Sequence, residues 1–327
     1  MLKIGISGAG YAGQYFVKAF QDLEYPIAGI ANRTRERGEA LAAEAGACFY
    51  NSLEDMLAHS GAEALVVATS TERHLPDIQA AANAGIRHVF CEKPTGVSVE
   101  DTLRIREVCA AHGINLGVGY KMRFESLFKM AHSLLAAGRI GELVSITLNF
   151  WQTIPHSAWY LNSGYVRETM VHTLDLACWL AGAEPERVTC HTQNFAGGSK
   201  EDRASVLLRF ENGVTASLNG GWIRNYPYIA GRKNIRFEIV GTGGYICGVR
   251  PGHLLLCDAD GLQQLDVAQN DPVRDELADY FGRIKDGVPA AVGIEDALRV
   301  QRILEAAVVS DKSGQAEAIS REQKCII

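Results

Sequence analysis

The chain has 327 residues, 47% of them hydrophobic, which is enough for one large or two medium domains with a full core. A formal net charge of −6 argues against nucleic acid or an anionic membrane as partner, and no apolar run nears the ~20 residues of a membrane span. Eight scattered cysteines, without C-x-x-C pairs or His/Cys clusters at ligand spacing, predict no metal site and a reducing, cytoplasmic setting.

Residues 3–7 read as a strand that runs straight into Gly8-Ala9-Gly10-Tyr11-Ala12-Gly13, and Gln14 to Leu23 continues as a helix. In a dinucleotide site Gly8 allows the tight turn, Gly10 lets the backbone approach a pyrophosphate, and Gly13 lets helix and strand pack closely. The amides from Ala9 through Tyr11 and Ala12 open the helix and offer partial positive charge to phosphates. An ordinary glycine-rich βα turn is the alternative.

A second strand, 26–31, ends at Asn32-Arg33-Thr34-Arg35-Glu36-Arg37. NAD-binding folds usually place an Asp or Glu there for the ribose hydroxyls. A neutral Asn32 followed by three arginines favours NADP over NAD, with Arg33 and Arg37 on the 2′-phosphate and Arg35 opening a solvated helix. Further strands are predicted at 64–69, 87–91 and 114–118, with helices between them, among them 75–84 and 99–112. This alternation predicts a doubly wound parallel sheet, so Glu92 and Lys93, just past the fourth of these strands, fall at the ligand-binding edge. A plain polar turn at Glu92-Lys93-Pro94 is the competing reading.

The pattern changes after Lys121. A helix at 127–137, a turn at Gly138–Gly141, a strand at 143–151 and a helix at 166–181 are followed by strand-like runs from Arg187 to Leu265. Helices near 272–286 and 294–310 close the chain. Consecutive strands with short turns predict an open, mostly antiparallel sheet. Two domains follow: residues 1–121, a Rossmann-type unit, and residues 122–327, an α/β unit for substrate binding and oligomerisation. In the 166–181 helix, Glu168, His172, Asp175 and Trp179 fall on one stripe, while Val171, Leu174, Cys178 and Ala181 form an apolar one. A solvated polar face is the bland explanation of the first stripe.

Several separated segments resemble the Gfo/Idh/MocA oxidoreductases, the family of glucose–fructose oxidoreductase and inositol dehydrogenases. They are the glycine turn, Val66–His74, Glu92-Lys93-Pro94, Gly119–Phe124, Gly138–Gly141 and Ser163-Gly164 leading to His172-Thr173-Leu174-Asp175. The resemblance implies that Lys93 and His172 flank the nicotinamide and the substrate carbon. It adds Thr69, Ser70, Thr71, His74 and Glu92 as cofactor contacts, with Tyr120 and Arg123 near substrate or nicotinamide. Many relatives carry Asp in a Gly-Gly-Gly-x-x-x-Asp context where this chain has Asn162-Ser163-Gly164 and then Glu168.

The reaction so implied is reversible oxidation of a secondary alcohol of a sugar, cyclitol or sugar derivative. His172 would be the general base, Lys93 the donor to the developing alkoxide, and Glu168 a group that orients His172 or bonds a substrate hydroxyl. Trp151, Tyr160 and Asp175 are further substrate candidates, with His156, Trp159 and Asn162 beside them. A homodimer or homotetramer is expected, because the open sheet face needs cover. A non-catalytic nucleotide or sugar sensor and a redox-assisted hydrolase or lyase are the alternatives.

Overall fold

The computed structural model describes residues 1–153, 158–223, 233–250 and 252–320. The chain forms two compact units, Met1–Lys121 with Asp271–Gln301, and Met122–Asn270 with Arg302–Ile327.

The first unit contains β1 (Ile4–Ser7), α1 (Tyr11–Asp22), β2 (Ile27–Ala31), α2 (Arg35–Ala45), β3 (Cys48–Tyr50), α3 (Leu53–His59) and β4 (Ala64–Val67). It continues with α4 (Thr71–Asn83), β5 (His88–Cys91), α5 (Val99–His112) and β6 (Asn115–Val118). The strands pair in parallel in the order β3-β2-β1-β4-β5-β6. β1 and β4 are buried along their whole length, as strands covered on both faces must be. Chain order reverses between β1 and β4, and the crevice beyond their carboxyl ends is where such sheets take ligands.

Two details differ from the sequence reading. The edge strand β3 is three residues long, too short to leave a periodic signal. Helix α4 begins at Thr71, not 75, and Pro76 lies inside it; the proline mimicked a first-turn residue.

The predicted second domain is not continuous. Residues Asp271–Gln301 fold with the first unit, because α9 (Pro272–Lys285) buries Val273, Leu277, Tyr280 and Phe281 among Phe16, Phe20 and Phe90. Asp271 caps this helix through the amides of Val273 and Arg274. The Tyr280 hydroxyl donates across β5 and β6, 2.7 Å from the Asn115 carbonyl and 3.0 Å from that of Val89.

The second unit holds α6 (Ser126–Ala136), β7 (Leu143–Thr153), α7 (Ala158–Ser163), a π-helical turn (Val166–Met170) and α8 (Val171–Ala181). After these come β8 (Pro185–Gln193), β9 (Arg203–Phe210), β10 (Thr215–Ile223), β11 (Lys233–Gly241), β12 (Gly244–Arg250), β13 (Leu254–Asp258) and β14 (Gly261–Leu265). The end of α10 (Ile294–Ser313) and β15 (Glu317–Ala318) complete it. The nine strands run β14-β13-β12-β11-β7-β10-β9-β8-β15. Neighbours are antiparallel except β7 and β10, which are parallel. Leu148, Phe150, Val206, Leu208 and Leu218 form the buried face, and α8 packs on β7 and β10. Leu207 and Val249 stand exposed on the opposite face.

Among the described residues, no helix is long and apolar enough to cross a membrane.

Candidate active site

The glycine turn owes its shape to what side chains would hit. Gly8 has φ +108°, and a Cβ there would lie 2.5 Å from the Ala68 carbonyl oxygen, at the exit of β4. A Cβ on Gly13 would lie 2.2 Å from the Gly8 carbonyl oxygen, so α1 could not pack against the turn. Gly10 differs: its Cβ position meets nothing within 4 Å, so the space above it is open to a ligand. Gly10 is also the N-cap of α1 and lends no side-chain cap, which leaves the first-turn amides of Tyr11, Ala12 and Gly13 without intrahelical acceptors. An open cradle lined by amides without intrahelical acceptors suits a pyrophosphate. Tyr11 is 65% exposed and its hydroxyl lies 2.6 Å from that of Tyr15.

Asn32 binds this turn to the next. Its Oδ1 accepts from the Ala9 amide at 3.0 Å and its Nδ2 donates to the Thr34 carbonyl at 2.7 Å. Beyond it Arg33 and Arg37 are exposed, while Arg35 pairs with Glu39 at 2.7 Å.

At the exit of β4, Thr69 donates to Asp77 at 2.8 Å, and Ser7, at the end of β1, donates to the same oxygen at 3.1 Å. Arg73 adds a bond to the other oxygen. Asp77 is 1% exposed and so ties β1, β4 and α4 together from below the crevice. The sequence reading missed it, because an aspartate beside Pro76 looks like a surface turn residue. Ser70 is exposed and Thr71 half-buried, at the start of α4.

His74 lies beneath the exit of β4 as a buried residue. It is 1% exposed, with Nδ1 3.2 Å from the Thr95 carbonyl oxygen and Nε2 3.1 Å from that of Thr69. Burial lowers its pKa. The ring brackets the loops that carry Thr69 and Thr95 from a buried position.

Glu92 and Lys93 are half-buried past the end of β5. The Glu92 amide donates to Val67 in β4, its Oε2 accepts from the Lys93 amide at 3.1 Å, and the Lys93–Pro94 peptide is cis. Lys93 thus stands at the same sheet edge as the glycine cradle, two strands away from β1. Tyr120, expected at substrate, is 2% exposed and belongs to the packing of this unit.

In the second unit, the segment 166–181 is not one regular helix. Val166–Met170 forms a π turn, and the α-helix begins at Val171. Its i→i+5 geometry breaks the phase on which the predicted stripe depended. Nor is there a solvated face: Glu168, His172 and Asp175 are 8%, 9% and 0% exposed. Trp179 leaves the group and stacks on His132 with ring centroids 4.0 Å apart.

The π turn is held from outside. The Val166 amide donates to Glu201 Oε1 at 3.1 Å, the Tyr165 amide donates to the Glu201 carbonyl, and the Tyr165 hydroxyl donates to Phe150. Gly164, at φ +96°, leaves room for Glu201: a Cβ there would sit 2.4 Å from its Oε1. Gln152 of β7 donates to the Thr169 hydroxyl at 3.1 Å. Burial raises the Glu201 pKa. This acid, too, went unread, hidden in the loop-like run Ala196–Asp202.

Two more substrate candidates move. Asp175 is fully buried, and both its oxygens accept from Arg123, with Nε to Oδ2 at 2.8 Å. The two form a bidentate ion pair inside the unit, with Arg123 8% exposed. Trp151 stands on the face of β7 opposite Gln152, beside Gly221, so the sheet separates it from Glu168 and His172. The Tyr160 and Trp159 side chains and His156 lie outside the described residues.

Comparison with known proteins agrees with both halves. Residues 2–120 match the model of an oxidoreductase family with an NAD-binding Rossmann fold, and residues 128–247 match the GFO/IDH/MocA C-terminal domain. Inositol 2-dehydrogenase of Rhizobium meliloti (strain 1021) is 25% identical over 325 residues, 94% of this chain and 96% of that protein. An oxidoreductase of Agrobacterium radiobacter, solved with NAD+, L-tartaric acid and magnesium, superposes with a TM-score of 0.90 at 22% identity, over 97% of this chain and 98% of its own. Levoglucosan dehydrogenase in complex with NADH gives a TM-score of 0.88 at 22% identity, over 98% of this chain and 100% of its own. With a Rossmann unit and a family C-terminal unit in one chain, this protein belongs to the Gfo/Idh/MocA family of NAD(P)-dependent oxidoreductases.

Proposed function

We propose that the protein is an NADP(H)-preferring dehydrogenase acting on a secondary alcohol of a sugar, cyclitol or sugar derivative. The observation that carries the reading is Lys93 at the carboxyl end of β5, on the same sheet edge as a glycine cradle whose Gly10 opens onto free space. The bound nicotinamide would supply the hydride acceptor, taking hydride from the carbinol carbon as the alcohol becomes a ketone.

The chain's own groups do the rest. Amides of Gly10, Tyr11 and Ala12 hold the pyrophosphate, with Thr69, Ser70 and Thr71 beside it at the exit of β4. Asn32 shapes the turn through Ala9 and Thr34, which supports Arg33 and Arg37 as the groups that read a 2′-phosphate. Lys93 donates to the carbinol oxygen and stabilises its growing negative charge. His172 accepts the hydroxyl proton, and Glu168, in the π turn, orients it. Asp175 and Arg123 position the α8 segment from inside. The protein is read as cytoplasmic, and the exposed sheet face with Leu207 and Val249 as the surface of a homodimer or homotetramer.

Titration with NADPH and NADH, followed by quenching of tryptophan emission, tests the cofactor assignment. Tighter NADPH supports Arg33 and Arg37 as phosphate readers; tighter NADH overturns that preference. A screen of cyclitols and sugars with the tighter cofactor then reads hydride transfer directly. Binding without hydride transfer on any of them would favour a sensor.

A further inference from the structure

Helix α9 carries an acid inside its apolar face. Val273, Glu276, Leu277, Tyr280 and Phe281 recur at the helical interval and are all buried, Glu276 to 2% exposure. A carboxyl in such a place is costly unless it is paired or neutralised. Its Oε2 has no hydrogen-bond partner among the described residues.

The helix register says where this side chain lies. Tyr280 sits over Gly117, whose absent Cβ would be 2.6 Å from the ring, and bonds the carbonyls of Val89 and Asn115 in β5 and β6. Four residues along a helix span about 6 Å, or roughly two strand residues. Glu276 is therefore level with the carboxyl ends of β5 and β6. The charged groups that act on it agree: Glu92 and Lys121, just past those ends, and Asp271 at the start of α9. Glu92 is folded back there, on the Lys93 amide and 3.6 Å from the Cβ position of Gly119.

We propose that Glu276 is a positioning residue: it faces Glu92 from α9, keeps that carboxylate on the Lys93 amide, and so fixes the turn that presents Lys93. Its effect on turnover rests on the dehydrogenase reading above; its electrostatic coupling to Glu92 does not. Burial first, and then the Glu92 charge, push the Glu276 carboxyl well above the usual range, against the pull of Lys121. A buried acid near a second acid resists ionisation. The raised Glu276 carboxyl sets less negative charge against Glu92, whose Oε2 accepts from the Lys93 amide.

The test is thermal melting of wild type and Glu276→Gln from pH 4 to pH 8, each also in a Glu92→Gln background. A raised folded pKa means the native state holds its proton more tightly than the unfolded chain. Wild type then loses stability relative to Glu276→Gln as pH rises above about 4.3, the unfolded value, until the folded pKa is passed. The expected result is a Tm gap that widens with pH and shrinks in the Glu92→Gln background. A gap independent of pH, or equal in both backgrounds, overturns the proposal. Should Glu276→Gln fail to fold, wild type labelled with δ-13C glutamate gives a second reading. One glutamyl carboxyl should titrate at higher pH than the rest and move back toward them on Glu92→Gln; a set in which no carboxyl titrates above the ordinary glutamate range overturns the proposal. A Tm gap that behaves as expected in a protein without hydride transfer keeps Glu276 on Glu92 and sinks the dehydrogenase reading instead.

Discussion

The glycine turn and the α8 segment hold their geometry by opposite means. Around β1 and α1 the shape comes from missing atoms: Gly8 and Gly13 permit approaches that any Cβ would block, within six residues of chain. Around α8 it comes from buried polar groups whose partners are remote in sequence. Asp175 meets Arg123 across 52 residues, and Val166 meets Glu201 across 35. A cradle of backbone tolerates little substitution but asks for no charge inside; a buried charged segment fixes side-chain positions and depends on every partner being present.

The largest effect that sharpens this contrast is on chemistry. If Lys93 and His172 act as proposed, Lys93→Met and His172→Asn each lower kcat by about 10²–10⁴-fold, the usual range for a general acid or base. Cofactor affinity should stay within a few-fold, because neither residue builds the cradle. Steady-state kinetics with the best substrate, alongside cofactor titration, reads both quantities. Near-normal turnover in Lys93→Met would remove it from the mechanism.

Next comes stability. Asp175→Asn leaves the Arg123 guanidinium buried beside a neutral amide, and breaking such a pair costs about 3–5 kcal/mol. Replacing both, as Arg123→Met with Asp175→Leu, should recover much of that loss, since two buried apolar groups need no compensation. Urea unfolding of both variants beside wild type checks it. A single variant as stable as wild type would mean that the pair is not what holds α8 to its unit.

These two regions also explain what the sequence disclosed. The cradle was legible because its constraint is local: glycine spacing, a preceding strand and a following helix all fall within one short window. Lys93 was legible for the same reason, as a strand-end residue before proline. The α8 segment was legible only as residue types. Helical spacing put Glu168, His172 and Asp175 on one stripe, but the π turn changed the phase and the fold buried the segment except for half-buried Arg167 and Trp179. A periodicity argument presumes a helix with one wet face, and this helix has none. Glu276 left a readable sign, an acid inside the apolar stripe 273–281, that belonged to a helix assigned to the wrong domain. Nothing local marks Glu201 or Asp77 as partners, because their roles exist only once distant strands have met.

The smallest predicted effects separate two glycines of a single motif. Gly13→Ala places a Cβ 2.2 Å from the Gly8 carbonyl oxygen, so helix and turn must part. Overpacking of this kind costs about 1–3 kcal/mol and should lower Tm with or without cofactor. Gly10 has φ −82° and ψ −165°, an extended conformation open to any residue, and its Cβ would meet nothing within 4 Å. Gly10→Ala should therefore leave the stability of the cofactor-free protein within about 0.5 kcal/mol of wild type. Its methyl group would occupy the space a pyrophosphate needs, weakening NADPH binding about tenfold, the equivalent of ~1.4 kcal/mol. Differential scanning fluorimetry with and without NADPH measures both terms. The two variants must then fail differently, Gly13→Ala in folding and Gly10→Ala in ligand-induced stabilisation alone. If Gly10→Ala kept the full NADPH-induced shift, the open space above Gly10 would not be where phosphate lies, and the cradle would have to be sought elsewhere along the edge between β1 and β4.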